Sequence, residues 1–150
     1  MHETARRGLL RLLGGAAALA VLVVRVLTVV RGCRSEVERI SETVDEARDA
    51  LVERRRDDFL SHFSLDVKYR QRGGRKDLER DVDQWIAYHV GQISILDRTI
   101  DVTGTSATIR LRCEVGNVLT GFQPVLVDLA AEKGDDAWRI ARFDWKFDGK

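Results

Sequence analysis

Three hydropathy patterns follow one another along this 150-residue chain, and each predicts a different kind of element. The first is a continuous apolar run over residues 12–30, LLGGAAALAVLVVRVLTVV, in which Arg25 is the one charged residue. In the second, over residues 36–57 and 77–89, apolar residues recur every three or four positions, which predicts amphipathic helices. The third is an alternation of apolar and polar residues from residue 93 onward, which predicts β-strands.

The apolar run has the length and composition of a transmembrane helix. A helix over residues 12–30 rises about 28 Å, close to the roughly 30 Å hydrocarbon core of a bilayer. Its many Leu and Val residues outweigh the cost of one arginine, and Arg25 lies near the end, where its side chain can reach the headgroups. We therefore predict a basic tail at residues 1–11, a transmembrane helix at residues 12–31 and a folded domain at residues 35–150.

Other interpretations of this segment stay open. A cleaved signal peptide would need a shorter apolar region and a small-residue cleavage site. Gly32-Cys33 resembles a bacterial lipoprotein site, although Arg31 does not fit that pattern, and the excess of arginine over acid in residues 1–34 is compatible with an organellar targeting peptide. Arginines lie on both sides of the run, so the positive-inside rule gives almost no orientation. A short tail before one large domain favours a signal anchor. The expected protein is single-pass, with its C-terminal domain outside the cytoplasm.

The first helix of the domain carries one apolar stripe, formed by Val37, Ile40, Val44, Ala47 and Leu51. We expect it to begin after Ser35, to run to about Asp57 and to pack on a sheet, although residues 36–52 are also compatible with a coiled-coil seam. A short apolar turn at Phe59, Leu60 and Phe63 follows, then a strand at residues 67–72, a turn at Gly73-Gly74 and a helix at residues 77–89.

The alternation is clearest in ATIRLRCEV, residues 107–115. Its apolar set (Ala107, Ile109, Leu111, Cys113 and Val115) alternates with Thr108, Arg110, Arg112 and Glu114, as expected of an antiparallel strand with one buried face. Similar strands are predicted at residues 93–102, 123–132 and 137–147. The fold class predicted from this order is α+β, with a curved antiparallel sheet wrapped around helices and a pocket at the open end.

Composition narrows the functional classes. The chain has 25 Lys+Arg and 24 Asp+Glu, a net charge of +1, which argues against a general nucleic-acid binder. Two cysteines, Cys33 and Cys113, are too few for a disulfide framework, so we expect free thiols, with Cys113 a small core residue. No Cys/His spacing suits zinc, and we expect neither a metal nor a cofactor.

Three stretches, FSLDVKYRQRGGRKDL, TIDVTGTSATIRL and DDAWRIARFDW, resemble the nuclear transport factor 2-like superfamily. The Gly-Arg turn at residues 74–75 and the Trp-Arg-Ile ending at residues 138–140 carry the resemblance, which covers residues 36–147. It implies a cone-shaped α+β domain and, for many members, a homodimer through the outer sheet face, where Arg110 and Arg112 are expected. The superfamily includes ketosteroid isomerases, polyketide cyclases, dehydratases and non-enzymatic modules, so the resemblance indicates fold rather than function.

The resemblance also bears on catalysis. The isomerases of this superfamily use a carboxylate base on the short strand, and the matching position falls near Tyr69, where Lys68, Tyr69 and Arg70 offer no carboxylate. We therefore expect no catalytic residue of that type. The ligand-pocket candidates are Tyr69, Trp85, His89 and Asp144. His89 oriented by Asp144 would form a general base, whereas the alternative is that these side chains only complete the core.

The function predicted from the sequence is a membrane-anchored, non-catalytic interaction or small-ligand-binding module. The alternative is an enzyme of the isomerase, cyclase or dehydratase class that uses the cone pocket. The partners predicted for the chain are the lipid bilayer through residues 12–31, a second copy through the outer sheet face, and other proteins. Protein partners are expected because the chain is similar to some bacterial secretion-channel and lipid-transport accessory proteins, which have one transmembrane helix followed by a cone domain.

Overall fold

The computed structural model describes residues 35–88, 90–117 and 121–149, and the α+β class predicted from the sequence is confirmed there. The helices are α1 (Glu36–Val52), α2 (Arg56–Ser61) and α3 (Arg75–Ala87). The strands are β1 (Phe63–Tyr69), β2 (Val90–Thr103), β3 (Ser106–Asn117), β4 (Gly121–Lys133) and β5 (Trp138–Phe147). They form one curved sheet in the order β1-β5-β4-β3-β2, in which β1 runs parallel to β5 and the other neighbours are antiparallel.

The predicted tail and transmembrane helix, residues 1–31, lie outside the described residues. Within the ranges that the structure describes, no helix combines the length and the apolar character needed to cross a bilayer. The anchor stays a prediction from the sequence.

Helix α1 packs on the sheet through most of the predicted stripe, because Ile40, Val44, Ala47 and Leu51 are buried. The first residue of the stripe, Val37, is exposed. Its C-terminal end differs from the prediction: the helix stops at Val52 and does not run to Asp57. Arg54 has a φ of 60°, and the amides of residues 54 and 55 donate to the carbonyls of residues 51 and 50. These two bonds form a Schellman motif, which closes a helix by satisfying its last carbonyl groups.

A tight turn connects β1 to α3. The amide of Gly73 donates to the carbonyl of Tyr69, and the amide of Tyr69 donates back to Gly73. A Cβ atom at Gly73 would lie 2.7 Å from the Tyr69 carbonyl oxygen, so the turn requires glycine there. The amide of Gly74 then donates to the carboxylate of Asp77, and this hydrogen bond caps the start of α3. Strand β1 accordingly ends at Tyr69, earlier than the predicted residue 72.

The register of the sheet separates two faces. The concave face carries the buried side chains of β3 at Ala107, Ile109, Leu111 and Cys113, as the alternation predicted, whereas Thr108, Arg110 and Arg112 are exposed on the convex face. Both helices α1 and α3 cover the concave face, so the core lies between them and the sheet.

The set of β5 side chains that faces the interior changes partway along the strand. Ala131 pairs with Ile140 and Ala130 with Arg142, so Ala141 is an extra residue, a β-bulge. Before the bulge, Trp138 and Ile140 are buried. After it, the residues packed against the core are Phe143 and Trp145. The bulge therefore exchanges which residues of β5 face the interior.

Candidate functional site: an apolar cavity inside the cone

The concave face of the sheet and the helices leave a cavity of about 310 Å³, a size typical of small-molecule sites. Its lining comes from α1, from the C-terminal end of α3 and from four strands: Leu51, Trp85, Tyr88, Val90, Ile93, Cys113, Val115, Asn117, Gln123, Val125, Val127, Phe143, Trp145 and Phe147. At its open end, here called the mouth, Tyr88 and Phe147 are 63% and 58% exposed.

One wall of the cavity is aromatic. The ring centroid of Trp145 lies 5.9 Å from that of Trp85 and 5.4 Å from that of Phe147, and Trp85 lies 6.1 Å from Phe143. All three pairs have edge-to-face geometry, which stabilises aromatic clusters beyond their buried area. This wall offers a ligand a rigid apolar surface.

The polar side chains among the described lining residues lie towards the mouth and belong to Tyr, Asn and Gln. They are the phenol of Tyr88 and the carboxamides of Asn117 and Gln123. None of the described lining residues is Asp, Glu, Lys, Arg or His. The cavity can therefore desolvate an apolar ligand and offer it hydrogen bonds, but its described walls contain no carboxylate or imidazole for proton transfer.

Cys113 is the one thiol in the described walls. Burial raises the pKa of this thiol above its ordinary value, against the lowering effect of the Arg98 and Arg48 charges. A thiol with a raised pKa is protonated at neutral pH and is a poor nucleophile. The predicted role of Cys113 as a free core residue is confirmed, since it is 4% exposed and forms no disulfide.

A second, smaller lobe of about 90 Å³ lies deeper in the cone. Five residues line both lobes and so form their common boundary, here called the neck: Leu51, Ile93, Cys113, Val127 and Phe143. Beyond the neck the walls are apolar side chains of α1, α2 and the sheet, apart from Arg48. The guanidinium of Arg48 lies 3.1 Å from the carboxylate of Asp45 and 2.8 Å from that of Asp49, so its charge is already paired.

The four predicted pocket residues do not come together in the structure. Trp85 lines the cavity. Tyr69 and Asp144 line a different depression, and His89 lies outside the described residues. The interior placement of Asp144 is corrected: Asp144 pairs with Asp128 on the convex face, because the bulge at Ala141 turns Phe143 and Trp145 inward.

Tyr69 is buried and fully hydrogen-bonded. Its hydroxyl donates to Oδ2 of Asp81 over 2.7 Å and accepts from Nε1 of Trp145 over 2.9 Å. Burial, together with the hydrogen bond to Asp81, raises the pKa of the phenol, although the Trp145 donor opposes this. The hydroxyl therefore stays protonated and connects α3 to β5. This arrangement is typical of a satisfied structural polar group.

The depression beside Tyr69 is a wide crevice of about 900 Å³ at the end of β1. Its charges nearly balance, since the basic residues Arg70, Arg72, Arg80, Arg142 and Lys146 accompany the acids Asp77, Asp81, Asp128 and Asp144. The guanidinium carbon of Arg70 lies 4.9 Å from the ring centroid of Trp145, and the same indole lines the cavity on its other side. Trp145 therefore separates the crevice from the cavity.

The convex face of the sheet is exposed and carries charges of both signs. Arg110 lies 3.8 Å from Asp128, and Arg112 lies 3.5 Å from Asp148, with the arginine side chains 80% and 59% exposed. Such exposed pairs contribute little to stability. A homodimer through this face stays a prediction.

No group of three or more His, Cys, Asp or Glu side chains in the described ranges is arranged to hold a metal ion.

Comparison with known proteins places the fold. No protein-family model and no curated protein matches the chain. Among solved structures, a nuclear transport factor 2-like protein with a cystatin-like fold from Novosphingobium aromaticivorans has a TM-score of 0.65 at 17% identity, covering 88% of this chain and 92% of its own. A proposed scytalone dehydratase from the same organism has a TM-score of 0.68 at 14% identity, covering 76% and 85%.

A third similar structure is a proposed ketosteroid isomerase from Shewanella frigidimarina, with a TM-score of 0.62 at 16% identity, covering 70% of this chain and 92% of its own. Identities this low establish the fold alone. The domain has the nuclear transport factor 2-like, cystatin-like cone fold, as the sequence resemblance implied. Proteins with this fold include ones named as enzymes and ones of unknown function, so the fold leaves the activity open.

Proposed function

We propose that this domain binds a small, predominantly apolar molecule inside the cone and acts as a non-catalytic binding module. The observation that supports the proposal most strongly is the lining of the 310 Å³ cavity, whose described residues join an aromatic wall to phenol and carboxamide groups at the mouth. Burying apolar surface supplies the affinity, at roughly 25 cal/mol for each Å² removed from water. The amide and phenol groups orient the ligand without requiring an opposite charge.

The alternative of an isomerase, cyclase or dehydratase needs an acid or base that reaches a ligand in the cavity. In the described walls, the titratable groups are the thiol of Cys113 and the phenol of Tyr88. Tyr69, the nearest match to the position of the isomerase base, directs its hydroxyl to Asp81 and not into the cavity. The geometry therefore favours binding over catalysis.

A tryptophan substitution at Val115 is expected to fill the cavity. Val115 lines it on β3, and the adjacent Glu114 lies on the convex face of the same strand. We expect Val115→Trp to weaken binding of the neutral fluorophore N-phenylnaphthylamine by at least about tenfold, a loss of about 1.4 kcal/mol. Titration monitored by energy transfer from Trp85 and Trp145 to the probe measures this change.

Glu114→Trp is the matched control, because it adds the same side chain one residue away on the other face. It is expected to leave the probe affinity unchanged, and circular dichroism establishes that both variants fold. Equal binding by the wild type and a folded Val115→Trp variant would place the probe elsewhere and would contradict the proposed site.

We also propose that residues 12–31 anchor the domain to a membrane. Support comes from the sequence, in the length and the uninterrupted apolar character of the run. The intact chain is expected to stay with the membrane pellet after extraction in alkaline carbonate. A variant in which Leu19, Leu22 and Val26 are replaced by aspartate is expected in the supernatant. Release of the wild-type chain into the supernatant would refute the anchor while leaving the binding proposal intact.

A further inference from the structure

The polarity of the lining changes from the mouth to the deep lobe. At the mouth lie the phenol of Tyr88 and the carboxamide of Gln123. At the neck and beyond it the side chains are almost all apolar, and the exception, Arg48, is paired with two aspartates. A ligand that matches this gradient has one polar end and one apolar end.

The two lobes share the neck residues and follow one another along β4. Along β4, Gln123 lines the mouth, Val127 the neck and Leu129 the deep lobe. Six residues of extended strand separate Gln123 from Leu129, a distance of about 20 Å. The deep lobe has only about 90 Å³, too little for a fused ring system but compatible with a flexible chain.

From this shape, and resting on the proposed binding function, we propose that the ligand is a single-chain amphiphile with an uncharged polar head. The head lies at the mouth, where Gln123 and Tyr88 donate hydrogen bonds to it and accept hydrogen bonds from it. The chain passes along the aromatic wall of Trp85 and Trp145 and through the neck at Cys113. Its end lies in the deep lobe beside Ala47 and Val44.

Linear alcohols test the proposal on the full-length chain. Octanol, decanol, dodecanol and hexadecanol are titrated as competitors of N-phenylnaphthylamine. Each added methylene is expected to tighten binding by up to about fourfold, until the chain fills the deep lobe and the affinity stops rising. Dodecanoate is expected to bind no more tightly than dodecanol. A clear preference for the carboxylate would overturn the uncharged head.

Ala47→Leu closes the deep lobe, because Ala47 lines that lobe and not the outer one. It is expected to remove the gain from the longest alcohols, so that the plateau moves to a shorter chain, and to leave octanol affinity unchanged. Val44→Phe, at a second deep-lobe position, is expected to act in the same way. Ala130→Leu, on the convex face, is the matched control and should retain the full length dependence.

The outcomes distinguish a failure of the amphiphile proposal from a failure of the proposed binding function. If 2-naphthol competes with the probe and no alcohol does, the cavity binds aromatic ligands but not linear alkyl chains, and the amphiphile proposal is wrong. The same holds if a folded Ala47→Leu variant keeps the wild-type plateau. If neither alcohols nor 2-naphthol compete and the probe itself does not bind, the proposed function falls as well.

Discussion

Leu78→Ala is expected to lower the free energy of unfolding by about 3–4 kcal/mol, within the range of roughly 2–5 kcal/mol for buried leucines. Leu78 is 0% exposed and lies on the buried face of α3, beside Val82. The substitution removes the transfer free energy of the side chain and leaves a void that the surrounding sheet and helices fill only in part. Urea unfolding monitored by tryptophan fluorescence measures the loss, since all three tryptophans of the chain lie in the described domain.

Leu65→Ala is the matched control. Leu65 lies on the neighbouring strand β1 and is 87% exposed, so truncating it removes little buried surface. We expect a change of less than about 0.5 kcal/mol, as for most exposed positions. Similar losses for the two leucines would contradict the packing of α3 against β1.

Trp138→Ala is expected to lower the free energy of unfolding by about 3–5 kcal/mol, as for buried aromatic residues in general. The indole of Trp138 is 4% exposed, and its Nε1 donates to the carboxylate of Glu36 over 2.6 Å. Lys133 donates to the same carboxylate over 2.7 Å. The first turn of α1 is therefore tied to the β4–β5 hairpin, and losing the indole removes both packing and this tie.

Trp138→Phe should recover most of the loss, because it restores the packing without the N–H group.

The hydrogen bonds from Lys133 and Trp138 lower the pKa of Glu36 below its ordinary value of 4.5. A carboxyl whose folded pKa is lowered contributes stability above its unfolded pKa and loses it as the pH falls through the folded pKa. The stability difference between the wild type and Glu36→Gln should therefore be present at neutral pH and fade below pH 4.5. A constant difference down to strongly acidic pH would contradict the contribution of the charged carboxylate.

The sequence predicted the elements with regular periods and failed where a single backbone geometry decides the outcome. The alternation in β3 placed Ile109, Leu111 and Cys113 in the core because every second side chain of a strand shares a face. The end of α1 was wrong because the left-handed position in its Schellman motif is held by Arg54 and not by the usual glycine. An arginine in a polar stretch carries no signal for that conformation.

The candidate site was predicted in part for a similar reason. Counting by twos from Trp138 and Ile140 puts Asp144 on the interior side, and the extra residue at Ala141 reverses that count. A bulge of this kind leaves no mark in the composition. Trp85, by contrast, lies on the apolar face of a regular helix and lines the cavity as expected. Gln123 could have been found by extending the inward set of β4 from Val125 and Val127 towards its start.

The tie between Glu36 and Trp138 also sets where α1 begins relative to the proposed binding site. Helix α1 starts at the hairpin end of the sheet and advances about 23 Å from Glu36 to Leu51, which lies at the neck. The mouth lies beyond the neck, so the first turn of α1 and the mouth are at opposite ends of the cone. In the proposed binding mode, a ligand that enters at the mouth therefore does not pass the first turn of α1.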